Sequence, residues 1–369
     1  MQLQLSSFPR SLFHPPAAGP TLRHNVTRWP RSAVRPDLLR LTVERVIDET
    51  ASTKTFVFAE HSLAYRPGQH VTIVADIGGQ TQRRCYSFSS SPATGAKPSI
   101  TVKRVDGGVL SSWLHDHVSA GDVLSALPPS GGFVVDADPD VSRHIALVAG
   151  GVGITPLISM AETVLRTEPL SRVTLLYGSR SESEIIFRNR LDALAHLFAG
   201  RLQVRIALDE LPPVWNGLAG ALDGEAVSRA IDLRAPDAWY VCGPEPMMES
   251  VTGALRTAGI DAARVHLERF QYAEAGKGQA ASARGTVLFA KSGVASPPLA
   301  GTTILEAAER AGIALPWSCR MGGCGACKVK VDGRVVHAEP NCLTDREKAD
   351  GYALACCSYA DGRVELADF

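Results

Sequence analysis

The chain has 369 residues, 38 basic against 38 acidic side chains, and 45% hydrophobic residues. That length holds two or three domains, and a formal net charge of +0 gives no electrostatic case for nucleic acid or an anionic membrane as partner. No apolar run approaches the ~18 residues of a membrane span, and eight cysteines, in a long chain without a convincing secretory signal, point to metal binding in a reducing, cytoplasmic setting rather than to disulfides.

Residues 1–37 differ from the rest. Up to position 36 they hold no Asp or Glu, five Arg, and prolines at 9, 15, 16, 20, 30 and 36. An arm or a strap across another domain is expected. An acid-free, Arg-bearing start also resembles a transit peptide, although dense prolines oppose its amphipathic helix. From 38 to 138 the apolar period is two, in Leu39–Val43, Thr55–Phe58, His70–Val74 and Ser99–Lys103. Turn signals such as Pro67-Gly68, Gly78-Gly79 and Gly121-Asp122 separate these runs, which predicts a closed antiparallel β-barrel.

From 139 to 272 the pattern becomes α/β. Ile145–Ala149 is continuously apolar, as a strand covered on both faces should be. A helix is predicted from Thr155, and Val173–Tyr177, Leu202–Ile206 and Trp239–Cys242 read as further strands of a parallel sheet. Residues 273–283 are rich in Ala, Gly and Ser and read as a linker. In 284–369 a hairpin at Thr286–Phe289 precedes two capping boxes, Thr303-Ile304-Leu305-Glu306 and Thr344-Asp345-Arg346-Glu347. Tyr352–Cys356 is predicted as a strand.

Cys319-Arg320-Met321-Gly322-Gly323-Cys324-Gly325-Ala326-Cys327 has the spacing C-x4-C-x2-C. This is the thiolate pattern of plant-type [2Fe–2S] clusters; zinc is the alternative occupant. Cys319, Cys324 and Cys327 are three ligands, and the fourth is Cys356 or Cys357, since neighbours on a strand point to opposite faces. Plant-type ferredoxins place this ligand in L-x-C, which Leu354-Ala355-Cys356 resembles, so the resemblance implies Cys356. Cys342 and Cys85 fit no ligand position. The loop Arg320–Gly323 is expected to be exposed and to meet an electron-accepting partner.

Arg83-Arg84-Cys85-Tyr86-Ser87-Phe88 follows a barrel strand, and Lys103-Arg104-Val105-Asp106-Gly107-Gly108-Val109-Leu110-Ser111 leads into a helix near Leu110. Together these resemble the flavin motifs of the ferredoxin–NADP reductase superfamily. The resemblance implies Arg84 at the flavin pyrophosphate, Tyr86 against the isoalloxazine and Ser87 near N5, with Phe88 and Lys103 also in the binding set. Gly107, Gly108, Val109, Leu110 and Ser111 would offer a helix N-terminus to phosphate, favouring FAD over FMN. Phe133 is the candidate for the adenine pocket.

Gly150-Gly151-Val152-Gly153-Ile154-Thr155-Pro156 and Cys242-Gly243-Pro244-Glu245-Pro246-Met247 resemble the two nucleotide motifs of the same superfamily. By that resemblance Gly151, Val152, Gly153 and Thr155 line the pyridine nucleotide. Cys242 lies between nicotinamide and flavin, with Gly243, Pro244 and Met247 beside it. His266-Leu267-Glu268-Arg269-Phe270 resembles the closing H-x-E-x-F, which implies Glu268 at the nicotinamide and Phe270 over the flavin. Ser179 and Arg180 fit a 2′-phosphate; Arg180 equally fits stacking on the adenine of NADH.

The domain order resembles reductase components of multicomponent oxygenases. Val46–Thr50 and Ile100–Val105 are similar to reductases of Rieske-type enzymes that demethylate glycine betaine and stachydrine, and Leu267–Phe270 to the phenylacetyl-CoA epoxidase reductase. The resemblance implies a multidomain fold of flavin barrel, α/β nucleotide domain and β-grasp α+β ferredoxin domain. It also implies hydride transfer from NADH or NADPH to FAD, with Ser87, Cys242 and Glu268 as the catalytic set. Single electrons would pass to the cluster and on to a terminal oxygenase. Alternatives are a reductase for a di-iron hydroxylase, epoxidase or desaturase, a self-contained reductase of quinones or ferric chelates, and an electron carrier without nucleotide turnover. The intact Gly150–Pro156 and Cys242–Met248 motifs oppose the last.

Overall fold

The computed structural model describes residues 38–60, 63–270, 283–298, 300–317, 320, 322–323, 325–338 and 341–368. The N-terminal arm, most of the linker, Cys319 and Cys324 lie outside these residues.

The first domain is built from strands β1 (Leu39–Thr50), β2 (Thr53–Phe58), β3 (His70–Ile77), β4 (Gln80–Ser87), β5 (Ser99–Lys103) and β6 (Val123–Ser130). They form one antiparallel sheet in the order β4-β3-β6-β1-β2-β5. An antiparallel bridge between Phe88 and Ile100 joins the two outer strands, so the sheet closes into the predicted barrel and both edges are covered. The alternating residues Leu41, Val43, Phe56, Phe58, Ile73 and Ile100 fill the interior. Helix α1 (Val109–His117) contributes Leu110 and Leu114 to the same core.

The second domain carries β7 (His144–Gly150), α2 (Ile154–Thr167), β8 (Arg172–Ser179), α3 (Arg188–Leu197), β9 (Leu202–Leu208), β10 (Leu218–Ala219), α4 (Gly224–Ala230), β11 (Ala238–Cys242), α5 (Glu245–Thr257) and β12 (Val265–Glu268). The sheet is parallel throughout, in the order β10-β9-β8-β7-β11-β12. Separate apolar clusters cover its two faces, which is why β7 is buried at every position. Strand order reverses between β7 and β11, and ligands of open α/β sheets bind at the carboxyl ends beside such a reversal. The loops Gly150–Pro156 and Cys242–Met247 leave the sheet at this point.

The seam between the two domains is polar and specific. The run Ser89-Ser90-Ser91 just beyond β4 meets α2 and α3. Ser159 donates to the Ser90 carbonyl at 2.6 Å, Ser91 and Thr163 share a hydroxyl hydrogen bond of 2.7 Å, and Arg190 donates to the Ser89 carbonyl at 2.8 Å. Arg190 is held in turn by buried Glu162 at 2.6 Å. At Gly68 (φ +96°) a Cβ would stand 2.1 Å from the Phe133 carbonyl oxygen, so only glycine lets the chain beyond the barrel pass there.

The third domain comprises β13 (Gly285–Phe289), β14 (Val294–Ala295), α6 (Ile304–Arg310), β15 (Lys328–Asp332), β16 (Val335–His337), α7 (Asp345–Ala349), β17 (Tyr352–Leu354), β18 (Ser358–Ala360) and β19 (Gly362–Asp368). A mixed sheet in the order β14-β13-β19-β15-β17 packs against α6, and β16 pairs with β18. Both capping boxes are formed. Two expectations change. Ala283 is buried in this domain's core, so it is not linker. Strand β17 ends at Leu354, and Cys356 and Cys357 occupy a turn closed by the Cys357 N–H on the Leu354 carbonyl at 3.0 Å. Strand alternation therefore does not govern where the two thiols point, and both are buried.

Candidate active site

The two nucleotide loops touch through their backbones. A Cβ on Gly153 would lie 2.2 Å from the Cys242 carbonyl oxygen, and one on Gly150 would lie 2.6 Å from Pro244. Glycine is required here for close approach of two loops, the arrangement that opens a strand end to a dinucleotide. Thr155 is buried, and its hydroxyl donates to the Val152 carbonyl at 3.0 Å. Met247 packs its sulfur beside Gly150.

Cys242 ends β11, in register with Ala149 of β7 on one side and Glu268 of β12 on the other. Burial, reinforced by the Glu268 carboxylate, pushes the thiol well above its ordinary range, so it stays protonated. Glu268 is itself only 8% exposed and hydrogen-bonded to Ser87; burial pushes its carboxyl up to about 8. Among the described residues its Oε2 has no hydrogen-bond partner. A buried carboxyl oxygen at a domain junction without a partner is costly unless a ligand completes it.

Glu268 and Phe270 of the nucleotide domain line one pocket with His70, Arg84, Cys85 and Ser87 of the barrel and Gly323 of the third domain. Arg84, Ser87, Glu268 and Phe270 are thus brought together in one pocket. Tyr86 lies half-buried between Cys85 and Ser87 on β4. Phe88 turns inward instead. It is fully buried and stacks on Tyr65 at 4.0 Å, while the Tyr65 hydroxyl bonds to Ser90. Phe133 likewise fails as an adenine platform, because it packs edge-on against Tyr240 in the core of the nucleotide domain.

The loop before α1 retains its predicted shape. Gly107 has φ +70°, Gly108 is the N-cap with no side-chain cap bond, and Val109 is exposed. The first N–H groups of α1 are therefore without a side-chain cap, as an anion site needs. Ser111 serves the loop itself, with its hydroxyl accepting from the Val105 N–H at 3.2 Å, and Leu110 lends only its backbone. Lys103 reaches across to Glu184 of the nucleotide domain at 3.2 Å.

Of the loop Arg320–Gly323, expected to be exposed, Arg320, Gly322 and Gly323 are described, and these three pack inward; Met321 lies outside the described residues. Gly322 is buried, and a Cβ there would be 2.8 Å from the Cys357 sulfur. Arg320 adopts a left-handed φ of 58°, lies 3.9 Å over the Trp317 ring and pairs with Glu309 of α6. Arg83 of β4 has its pKa lowered by burial and then by the nearby Arg320 guanidinium. Arg320 and Gly323 thus face the flavin motif. Cys327 and Cys356 are buried in the core of the same domain.

Sequence reasoning missed His70 and Glu184. His70 is buried opposite Ser87 in the β3–β4 register, with Nδ1 4.0 Å from Glu268. No local pattern marks it, because the carboxylate it faces belongs to another domain, a neighbour visible only from the fold. Arg190 is structural, as its helix position suggests, and the adjacent triple serine was the available signal for the seam.

Three family descriptions match in chain order: an oxidoreductase FAD-binding domain over 40–135, an oxidoreductase NAD-binding domain over 147–253, and a 2Fe-2S iron-sulfur cluster binding domain over 292–361. The chain is 34% identical over 348 residues to the glycine betaine monooxygenase reductase subunit of Pseudomonas aeruginosa, covering 87% of this chain and 93% of that protein. It is 32% identical over 332 residues to a 1,2-phenylacetyl-CoA epoxidase subunit of Escherichia coli, covering 86% of this chain and 93% of that protein. Among solved structures it resembles phthalate dioxygenase reductase with a TM-score of 0.58 and 26% identity, over 89% of this chain and 97% of that one. The chain belongs to the ferredoxin-reductase family of three-domain oxidoreductases that carry electrons from NAD(P)H through FAD to a [2Fe–2S] centre for oxygenase partners.

Proposed function

We propose that this protein is the cytoplasmic reductase component of a Rieske-type oxygenase, a monooxygenase or demethylase of small molecules. The relatives named as glycine betaine and stachydrine reductase subunits support this choice. Among the described residues no helix is long and apolar enough to cross a membrane. The observation that carries the reading is the pocket in which Ser87, Glu268 and Gly323 meet, one from each domain.

The described residues fit the flavin and the pyridine nucleotide their motifs call for. Among the described residues, the pocket has an unpartnered buried carboxyl oxygen, the helix α1 start lacks a side-chain cap, and the two nucleotide loops are glycine-walled. Arg84 and the Gly107–Ser111 turn would hold the flavin phosphates, with Lys103 supporting them from the Glu184 contact. Tyr86 would lie on the ring and Ser87 at its edge. Gly151, Val152, Gly153, Thr155, Gly243, Pro244 and Met247 would hold the pyridine nucleotide, with Cys242 and Glu268 at its reactive end. Cys319, Cys324, Cys327 and Cys356 would hold the cluster. When bound, FAD accepts two electrons as hydride and releases them one at a time.

The protein's own groups set the conditions for that exchange. At pH 7 Glu268 is largely neutral, so its oxygen can hydrogen-bond a ligand without placing a full negative charge in the pocket. Ser87 holds that carboxyl in place. Cys242, neutral and fully buried, supplies a small apolar wall and not a nucleophile. Phe270 and Gly323 narrow access to water.

An anaerobic absorption spectrum tests the reading. Flavin bands with a cluster shoulder should bleach on adding NADH or NADPH, and the reduced protein should support turnover by a purified Rieske oxygenase encoded beside it. Bleaching without delivery to any Rieske centre, but with delivery to a di-iron hydroxylase, would reassign the partner.

A further inference from the structure

The residues that follow β8 bear on which pyridine nucleotide the site takes. Strand β8 lies beside β7, and at the carboxyl end of such a strand a parallel sheet meets the adenosine ribose. An NADPH site needs free cations or donors there for the 2′-phosphate, whereas an NADH site needs acceptors for the ribose hydroxyls.

The candidate donors are already engaged. The Arg180 guanidinium lies 3.5 Å from Oε1 of Glu184, and the other carboxylate oxygen takes Lys103 of β5 at 3.2 Å. Glu184 is thus fixed between two cations by a contact from the neighbouring domain. The Ser179 hydroxyl donates to the Ser181 carbonyl at 3.2 Å, and Ser179 is buried. The neighbouring strand adds negative charge. The Asp209 N–H donates to the Ser179 carbonyl at 3.2 Å and the Glu210 N–H to the Arg180 carbonyl at 2.7 Å, which sets two exposed carboxylates beside the same corner. Glu182 pairs with Arg188 at 3.3 Å. Lys103, Arg180 and Arg188 therefore stand against Glu182, Glu184, Asp209 and Glu210. A phosphate monoester would bring a further charge of roughly −1.5 to −2.

We propose that this strand end selects NADH over NADPH, with Glu184 holding Arg180 away from a 2′-phosphate and Asp209 and Glu210 repelling it. The inference rests on the reductase reading and deepens it.

The test uses full-length holoprotein and two readouts. Adenosine 5′-monophosphate and adenosine 2′,5′-bisphosphate are titrated by calorimetry, and flavin bleaching by NADH and NADPH is timed under anaerobic conditions. NADH should be preferred by at least ~10-fold in kcat/KM, equivalent to about 1.4 kcal/mol. Glu184→Gln should narrow that preference by roughly 5-fold, and so should the exposed pair Asp209→Asn with Glu210→Gln, which keeps the test open if the first variant folds poorly. Arg180→Ala should leave the ratio of the two adenosine ligands within about 2-fold, because the guanidinium is not a phosphate donor. Equal use of NADPH by the unmodified protein, or selective loss of bisphosphate binding in Arg180→Ala, would overturn the proposal. If neither nucleotide bleaches the flavin, the reductase reading falls and the proposal with it; if both bleach it equally, only the proposal falls.

Discussion

Glu268 shows how one residue's surroundings set its chemistry. Burial raises its carboxyl from 4.5 to about 8. The folded state therefore holds a proton that the unfolded chain has already released, and the sign of the linkage follows: stability falls as pH rises from about 4.5 to about 8 and then levels off. Glu268→Gln should remove this slope and leave the protein more stable than the parent at pH 8.5, by an amount on the order of a few kcal/mol. Chemical denaturation at pH 5.5 and 8.5 measures it. The same variant should slow flavin reduction by ~10-fold or more, since the amide cannot reproduce the carboxyl's donor and acceptor geometry. Cys242 lies in the opposite regime for reagents: a neutral, fully buried thiol should resist alkylation in the native protein, and mass spectrometry after iodoacetamide would find it unlabelled.

Among the elements, two glycines in one domain separate close approach from mere propensity. Gly153→Ala would drive a methyl into the Cys242 carbonyl at 2.2 Å, where no flexible side chain can give way. A loss of roughly 2 to 3 kcal/mol and of nucleotide-dependent bleaching is expected. Gly253 lies within α5, and a methyl added there would meet nothing within 4 Å. Gly253→Ala should therefore stabilise by about 0.5 to 1 kcal/mol and leave bleaching unchanged. Thermal melts of the pair read both signs. The capping boxes of α6 and α7 were legible from four residues each, because every group they use lies within one turn. The end of β17 was not legible, since its last hydrogen bonds are decided by β15 and by the turn at Cys356 and Cys357.

Across the whole molecule, electron flow depends on seams between domains. Arg190 bonds the Ser89 carbonyl of the barrel and Glu162 of α2 at once. Arg190→Ala should cost about 2 to 3 kcal/mol, mostly from the acceptors left buried, and should lower flavin retention on gel filtration. At the other seam, Gly323 lines one pocket with Arg84, Cys85 and Ser87 of the flavin motif. We propose that delivery to a partner has the third domain turn outward. Shortening 273–282 should leave reduction of the cluster by the flavin intact while slowing partner-dependent turnover by ~10-fold. Rapid-mixing spectroscopy of both steps would show it, and equal rates in both would remove the need for domain movement.

The division of labour between sequence and tertiary structure follows from the range of each interaction. Period-two and continuous apolar runs, capping boxes, glycine turns and the C-x4-C-x2-C spacing are local, so the barrel, the parallel sheet and the cluster motif could be read from residues alone, while the flavin and nucleotide motifs were read through their resemblance to the ferredoxin–NADP reductase superfamily. What lay beyond that reading depends on contacts between distant segments. The barrel closes through Phe88 and Ile100, Glu268 meets Ser87 and His70 across a domain boundary, and Phe133 is claimed by a core instead of a ligand. Arg320 illustrates the limit best: the cysteine spacing around it specifies a metal site, but only the tertiary structure packs it on Trp317 and Glu309 and brings it near Arg83 of the flavin motif.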